Sequence, residues 1–305
     1  MRVVVLVDNA KGAAGLRARW GLSFWIETPH ARVLLDCGDS DAFLHNAERL
    51  GIALETADAF VLSHGHYDHG GGIGALTALA PTAPLVVHPG ASSPRYSLRR
   101  SGKREPVGLQ ESSLAALQTA VARTVWAVSP LEVAPRVWAS GPVPRRHPLE
   151  QAKSTFFLDP SCTVRDHVVD DQAVWVETPA GLIVLCGCAH SGVINTVRFI
   201  RETVAGSGRG RTSDDPGSET RSLPAAADGL PVVRALVGGL HLLHAGRDRL
   251  RATAEFLATI GLEACAPCHC TGKRATTMLR DRLADAFVEV ATGCELRLAY
   301  SGGRT

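Results

Sequence analysis

Residues of the kind that bind metal ions crowd into one short stretch of the chain, residues 63–72, which reads Ser-His-Gly-His-Tyr-Asp-His-Gly-Gly-Gly. Within it, His64, His66, Asp68 and His69 follow an apolar run and precede three glycines. A buried strand that ends in a tight turn can direct the first two histidines to one point and the Asp-His pair to a second point nearby. Imidazole nitrogens and carboxylate oxygens are the ligands that zinc and its neighbours prefer. The spacing therefore predicts a site for two adjacent divalent ions.

Two other interpretations compete for this stretch: a surface turn that is rich in histidine, and a histidine whose hydrogen bonds are satisfied in the core. A single histidine would favour either of them. Four candidate ligands between an apolar strand and a glycine-rich helix start favour the metal site, because the structural context agrees with the spacing.

The elements that must position this stretch follow from hydrophobic periodicity and from glycine and proline punctuation. Strands are predicted at 3–7, 23–28, 32–36, 59–62, 85–88, 125–128, 136–139, 173–177, 182–186, 231–237, 263–266, 287–290 and 295–299. Helices are predicted at 42–50, 71–79, 112–123, 194–204, 248–260 and 273–286. The similar strand–helix order on the two sides of the middle indicates two similar halves.

Length, composition and net charge limit the class of protein that this chain can be. The chain has 305 residues, 45% hydrophobic and 20% charged, with a formal net charge of +2. Such a length supports a substantial core, and the small charge argues against global attraction to nucleic acid or an anionic membrane. The first residues have too short an apolar run for a signal peptide, so we expect a cytoplasmic protein. We expect a single domain over 1–305, with a flexible insertion at about 205–230, where large apolar residues are scarce.

Five motifs in order along the chain carry a resemblance to a known family. They are His-x-His-x-Asp-His at 64–69, Leu-Leu-Asp-Cys-Gly at 34–38, Gly-Cys-Ala-His-Ser-Gly at 187–192, Gly-Gly-Leu-His-Leu at 238–242 and Pro-Cys-His-Cys-Thr-Gly at 267–272. Together they resemble the metallo-β-lactamase superfamily, in particular the branch named after 7,8-dihydropterin-6-methyl-4-(β-D-ribofuranosyl)aminobenzene-5'-phosphate synthase. The expected fold is an α/β (α+β) αββα sandwich: two mixed β-sheets face to face, helices outside, and metals in the cleft where strands end.

The resemblance also implies two sets of ligands: His64, His66 and His190 for one ion, and Asp68, His69 and His269 for the other. His190 follows a strand and precedes a glycine-started helix, as in the first motif. Cys188 stands where many members have a metal-bridging aspartate, and it either supplies a thiolate or packs inside. His241 is expected to touch substrate or a metal.

Cysteines allow one more interpretation, a structural zinc knot built from Cys186, Cys188, Cys265, Cys268 and Cys270. Alternate residues of a strand face opposite sides of a sheet, so these sulfurs are not expected to converge. Asp36 has two interpretations of similar weight. It either orients a metal-bound histidine through the free ring nitrogen or caps the helix at 40–50.

Candidates for substrate binding come from an arginine-rich loop at 91–110 and from the last motif. The loop is either a solvated surface segment or a flap that grips phosphate or carboxylate groups, because guanidinium binds such anions with two parallel hydrogen bonds. Thr271 precedes a helix start, where backbone amides can hold an anion. The tentative substrate-binding residues are Arg95, Tyr96, Arg99, Arg100 and Thr271.

These observations predict a metal-dependent hydrolase that acts on a phosphorylated or anionic small molecule through a metal-activated water, with Asp68 as the catalytic residue. The expected cofactors are two divalent ions, zinc first, with manganese or iron as alternatives. The resemblance leaves open a pterin–arylamine condensing transferase with a diphosphate leaving group. A non-haem iron redox enzyme and a catalytically silent metal-dependent binding protein also stay open. We expect no nucleic-acid or membrane partner, and a homo-oligomer is left open.

Overall fold

The computed structural model describes residues 1–99, 101–151, 155–207 and 223–300. Its strands are β1 (Arg2–Val7), β2 (Ser23–Glu27), β3 (Arg32–Leu35), β4 (Ala59–Val61), β5 (Leu85–Val87), β6 (Tyr96–Leu98), β7 (Arg104–Pro106), β8 (Thr124–Trp126), β9 (Leu131–Ala134), β10 (Val137–Ala139), β11 (Phe156–Phe157), β12 (Ala173–Thr178), β13 (Gly181–Cys186), β14 (Val233–Gly239), β15 (Ala264–Cys268) and β16 (Glu295–Arg297). The α-helices are α1 (Ala42–Arg49), α2 (Tyr67–Gly70), α3 (Ile73–Leu79), α4 (Glu111–Thr119), α5 (Val193–Gly206), α6 (Arg247–Thr259) and α7 (Lys273–Leu283).

Two large mixed sheets dominate the described residues. The first has the strand order β16-β1-β2-β3-β4-β5-β8, and the second has the order β15-β14-β13-β12-β10-β9. In each sheet a parallel run supplies strand ends on one edge: β3, β4, β5 and β8 in the first, and β13, β14 and β15 in the second. Loops that follow parallel neighbours lie side by side, so each sheet offers one edge on which side chains can be gathered.

The two sheets pack face to face because each strand alternates between two apolar faces. In β1, Val3 and Val5 belong to the core between the sheets, whereas Val4 and Leu6 face the helices outside. Helices α1, α3 and α4 cover the outer face of the first sheet, and α5, α6 and α7 cover that of the second. The predicted αββα sandwich is therefore confirmed.

Several element predictions were wrong, and the misses share a physical cause. Residues 91–110, expected to be a loop, contain β6 and β7, which join β11 in a small third sheet. β9 was also missed, and residues 287–290 make only an isolated bridge between Phe287 and Cys265. Strands of two to four residues carry too few alternations to be recognised from the chain alone, and β11 depends on a partner far away in sequence.

The predicted insertion at about 205–230 lies partly outside the described residues, which omit 208–222. On its near side α5 continues to Gly206. On its far side the Arg201 guanidinium binds the Asp228 carboxylate, and Ala226 N–H donates to Leu230 O at 2.8 Å. The one-domain expectation for 1–305 stays a prediction. In the part of the chain that is described, no helix is both long and apolar enough to cross a membrane.

Candidate metal centre

Side chains with ligand atoms gather where the parallel strands of both sheets end. His64, His66 and His69 follow β4, whereas His190 follows β13 and His269 follows β15. The residues come from separate loops, yet the structure brings them into two adjoining groups of three, each with its ligand atoms within 4.8 Å of one another. These groups have the membership expected from the sequence: His64, His66 and His190, and Asp68, His69 and His269.

In the first group, three ring nitrogens face one point. His64 Nε2 lies 2.9 Å from His66 Nδ1 and 3.1 Å from His190 Nε2. All three rings are buried, and burial is the main reason that the pKa of each is held well below its ordinary value, with neighbouring histidines adding to the effect. The rings are therefore neutral, which is the form in which imidazole binds metal ions.

In the second group, His69 Nε2 lies 3.2 Å from His269 Nε2, which lies 3.5 Å from Asp68 Oδ2. Burial opposes protonation of His69, but the charge and hydrogen bond of Asp36 outweigh it and raise the pKa of His69 to about 9. Asp68 is the one carboxylate in either group of three.

Asp36 orients His69 rather than capping a helix. Its Oδ2 lies 2.6 Å from His69 Nδ1, and its two oxygens accept the Ser63 N–H and O–H at 2.7 Å each. Helix α1 has Asp41 at its N-cap, so the capping interpretation of Asp36 is wrong. With its hydroxyl proton directed to Asp36, Ser63 Oγ accepts from His64 Nδ1 at 2.9 Å, which leaves His64 Nε2 as the lone-pair nitrogen.

The end of β1 positions His269, a link that sequence reasoning missed. Asp8 Oδ1 accepts the His269 N–H at 2.9 Å. Asn9 Nδ2 donates to His269 O at 3.0 Å, and Asn9 Oδ1 lies 3.0 Å from His269 Nδ1. Because Asn9 Oδ1 can only accept, the proton of His269 lies on Nδ1 and Nε2 faces the group. The position of Asp8 and Asn9, a polar pair directly after β1, is the sequence signal that could have revealed this link.

A second polar pair, Asp170 and Asp171 just before β12, forms hydrogen bonds to two of the ligand loops. Asp170 Oδ2 accepts the Gly65 N–H at 2.7 Å, and Asp171 Oδ2 accepts the Ser191 N–H at 2.8 Å. Both carboxylates are buried. The pair thus ties the loop after β4 to the loop after β13, although sequence reasoning gave it no role.

Two of the tentative substrate-binding residues have structural roles instead. Arg95 is 2% exposed, and its guanidinium binds Asp166, Asp170 and Gly90 O. Thr271 is fully buried, and its Oγ1 accepts the Leu240 N–H at 3.2 Å. Their polar atoms are engaged inside the protein, so the expectation that they hold an anion was wrong.

The remaining loop residues lie in or beside the small third sheet. Tyr96 is half-buried in β6, and the exposed Arg99 forms an ion pair with Glu105, which Lys103 also contacts. Arg100 lies outside the described residues. The substrate roles of Tyr96 and Arg99 stay predictions.

Cys188 lies between the two groups of three. Its Sγ is 3.2 Å from His69 Nε2 and forms a ligand cluster with one histidine of each group, His64 and His69. The zinc-knot arrangement does not form, because Cys186 and Cys265 pack under the outer helices while Cys268 faces the core between the sheets.

His241 and Cys270 lie next to the two groups of three, close to His190 and Cys188. The ring of His241 stacks at a tilt on that of His190, with centroids 4.1 Å apart, and its backbone N–H donates to Cys270 Sγ at 3.2 Å. Burial opposes ionisation of Cys270, but hydrogen bonds from Cys188 and His241 hold the pKa of this thiol well below its ordinary value. Sequence reasoning missed Cys270 as part of this site, although its position next to His269 is a signal.

Aromatic rings flank the two groups on opposite sides. Phe156 lies 4.6 Å from the ring of His66, and Trp20, which is 48% exposed, lies 5.3 Å from that of His269. One guanidinium group, that of Arg145, lies on the His190 side. It donates to His190 O and His167 O. Burial lowers the pKa of Arg249, and of the charges that act on this residue that of Glu150 is the largest, followed by those of Arg145 and Cys270. Among the described residues, Nε and Nη2 of Arg249 are buried without a hydrogen-bond partner.

Comparison with known proteins places this site in a family context. The family model of the metallo-β-lactamase superfamily matches residues 18–162. Over 289 residues the chain is 25% identical to the 7,8-dihydropterin-6-methyl-4-(β-D-ribofuranosyl)-aminobenzene-5'-phosphate synthase of Methanocaldococcus jannaschii, covering 90% of this chain and 88% of that protein. Tm1679, a solved structure described as a metal-dependent hydrolase of the β-lactamase superfamily, has a TM-score of 0.73 and 26% identity, covering 98% of this chain and 99% of the other. In sequence and in fold the chain is thus similar to members of the metallo-β-lactamase superfamily.

A more distant superfamily structure agrees on the fold alone. YhfI from Bacillus subtilis, a metallo-β-lactamase fold protein, has a TM-score of 0.52 at 14% identity, covering 97% of this chain and 99% of the other.

The residues present fit the divalent ions that the superfamily fold implies. Three neutral imidazoles direct lone pairs to one point, and two imidazoles with a carboxylate surround a second. Nitrogen with carboxylate oxygen is a donor set of zinc, manganese and ferrous iron rather than of calcium. The opposite ring nitrogens of His64, His69 and His269 are held by Ser63, Asp36 and Asn9, the support that ligating histidines usually have.

Proposed function

We propose that this protein is a metal-dependent hydrolase that acts on a phosphorylated or otherwise anionic small molecule. The observation that carries the proposal is the convergence of six ligand atoms, from loops up to about 200 residues apart, into two adjoining groups. A structural metal site needs one closed set of four ligands, whereas sets of three leave positions for water and substrate.

The chain's own residues divide the work as follows. His64, His66 and His190 would hold one divalent ion, and Asp68, His69 and His269 would hold the other. The two sets differ in their donor atoms, because only the second brings a carboxylate. When bound, such ions supply Lewis acidity, which lowers the pKa of bound water to about 7 and polarises a substrate oxygen. Asp68 would help to hold its ion and accept a hydrogen bond from the attacking water, which orients that water towards the reacting atom.

An anionic substrate is supported by two guanidinium groups, of which that of Arg145 lies beside the first set. The buried N–H groups of Arg249 have no partner among the described residues, and Arg145 lies close enough for its charge to act on His190. A buried donor without a partner costs free energy, which a bound phosphate or carboxylate oxygen would recover. Arg145 and Arg249 thus replace Arg95 as candidates for anion recognition.

A transferase reaction is the second candidate, and it is favoured by the similarity to the pterin synthase over 90% of the chain. In that reaction the same ligand groups would neutralise a diphosphate leaving group while an arylamine is alkylated. Water would then have to be kept from the reacting carbon, which is a demand that hydrolysis does not make.

Elemental analysis combined with a substrate panel tests the proposal. The panel consists of phosphodiesters, thioesters, lactones and pterin phosphates, the last with and without an arylamine. We expect bound divalent metal and chelator-sensitive cleavage, and we expect His66→Ala and His269→Ala each to lose metal and activity while remaining folded. Diphosphate release that requires the arylamine would establish the transferase instead, and full metal retention in both variants would refute the ligand assignment.

A further inference from the structure

A further set of ligand atoms lies beside the two groups of three. The sulfurs of Cys188 and Cys270 and a ring nitrogen of His241 lie within 4.8 Å of one another. His241 and Cys270 belong to neither of the other groups. Two sulfurs and one imidazole are ligands that zinc and other borderline-soft ions prefer, and magnesium and calcium do not.

We propose that Cys188, Cys270 and His241 bind a third divalent ion of the zinc type, next to the two-ion site. This assignment goes beyond the proposed hydrolase function, since it concerns how many ions the chain holds and can be tested without turnover. Three protein ligands leave a fourth position, as in Cys₂His zinc sites that bind water or substrate.

An unpartnered polar atom points to the same conclusion. Nδ1 of His241 is buried and has no hydrogen-bond partner among the described residues. The ring is held between the ring of His190, 4.1 Å away, and that of Phe156, 6.3 Å away. A buried imidazole nitrogen without a partner costs free energy unless a ligand satisfies it, and an ion held with the two sulfurs would do so.

The backbone around the three residues supports a built site. Ala189, His241 and His269 have φ values of 51°, 48° and 50°, in the left-handed region that such residues rarely adopt. These three positions flank or include the proposed ligands and follow β13, β14 and β15 in turn. Strain of this kind persists where the surrounding structure enforces it, and it gathers at functional sites.

Space for the sulfur is provided by a glycine. A Cβ at position 239 would lie 2.8 Å from Cys270 Sγ and 2.3 Å from Gly187 O. Only glycine at 239 therefore lets Cys270 lie against the ends of β13 and β14, where its Sγ faces Cys188.

Counting ions per chain tests the proposal. The protein is stripped with a chelator under reducing conditions, reloaded with Co²⁺, desalted and measured by elemental analysis and by the absorbance of the sulfur-to-cobalt charge-transfer band. We expect three ions in the unmodified protein and two in both Cys270→Ala and His241→Ala. Loss of one of two thiolates should reduce the band of Cys270→Ala by about half.

Two further variants serve as controls. Cys268→Ala removes a buried sulfur from the same strand end that belongs to none of the ligand groups, and it should keep all three ions. His66→Ala should lose an ion of the first group yet keep the charge-transfer band. Two ions or fewer in the unmodified protein would overturn the proposal, and so would an unchanged count in Cys270→Ala and His241→Ala. The first outcome needs no variant and is therefore independent of any folding defect.

Discussion

At the scale of single residues, the site depends on groups that hold the ligand histidines as much as on the ligands themselves. Ser63, Asp36 and Asn9 each fix the far ring nitrogen of a histidine, and so decide which nitrogen faces the ion. Such contacts set the tautomer and the ring orientation before any ion arrives. Removing one should weaken metal binding without unfolding the chain.

Asp36→Asn tests this at His69. The substitution keeps the shape of the side chain but removes the negative charge that lies 2.6 Å from His69 Nδ1. We expect metal affinity to fall about 10–100-fold, the usual range for such outer partners, in titrations against a chromophoric chelator. Asp41→Asn, at the N-cap of α1 and without a side-chain cap bond, is the matched control. Equal affinities in the two variants would contradict the role given to Asp36.

Gly187→Ala tests how closely two ligand loops approach. A Cβ there would lie 2.1 Å from Ser63 Oγ and 2.8 Å from Asp36 Oδ2. We expect the added methyl group to displace Ser63 and lower the metal content measured after reloading, because contacts below 3 Å force a shift in a close-packed interior. Gly246→Ala, where nothing lies within 4 Å, should keep the full metal content, and equal contents would show that the approach is looser than described.

At the scale of elements, the loops after β4 and β13 are held by a buried ionic network. Arg95, on the approach to β6, joins Asp166 to Asp170, and Asp170 in turn accepts the Gly65 N–H. Arg95 and its two carboxylate partners therefore connect the third sheet to the loop after β4, which carries His64 and His66. This network explains why Arg95 is buried although it belongs to an arginine-rich stretch whose Arg99 is exposed.

Arg95→Ala should strongly destabilise the fold. It would leave the Asp166 and Asp170 carboxylates buried and unpaired, and breaking a buried ion pair from one side costs about 3–5 kcal/mol. Urea unfolding followed by circular dichroism measures the loss. The control, Arg99→Ala, removes an exposed partner of Glu105 and should cost about 0–1 kcal/mol. A loss below that of the control would mean that the network does not support the loop.

At the scale of the whole molecule, bound ions should act as cross-links between the two sheets. The ligands of each group come from loops that follow strands of both sheets. An ion that binds only the folded chain stabilises it by mass action, by about 2.7 kcal/mol at a hundredfold excess over its Kd. Thermal unfolding of the sandwich and release of its bound ions should therefore occur in the same transition.

Chelator treatment should lower the Tm, and added Zn²⁺ should restore it. The effect should shrink in a His66→Ala/His269→Ala double variant, because one ligand is missing from each group. Differential scanning calorimetry measures the Tm of the unmodified protein and of the double variant, each with and without chelator. Added Zn²⁺ is then tested on the two chelated samples. A chelator-induced shift of the same size in the double variant would show that the stabilising ions bind elsewhere.

The sequence predicted the features that depend on neighbouring residues and missed the contacts between residues far apart in the chain. The ligand groups could be predicted because each ligand loop directly follows an apolar strand, and parallel strands end at the same edge of a sheet. Asp8 acts on a residue 261 positions away, and Asp170 on one 105 positions away, so no local pattern reveals either role. Arg95 was misassigned for the same reason, because the carboxylates that neutralise it lie more than 70 residues downstream.

The contact between the end of β1 and His269 has a consequence for biosynthesis. The residue that Asp8 and Asn9 position is synthesised about 260 residues after them. β1 also pairs with β16, close to the end of the described chain. A growing polypeptide can thus assemble the His64–His66–His190 cluster well before it can complete the one that includes His269. Metal uptake should occur in two stages during translation, with the second stage delayed until His269 has emerged.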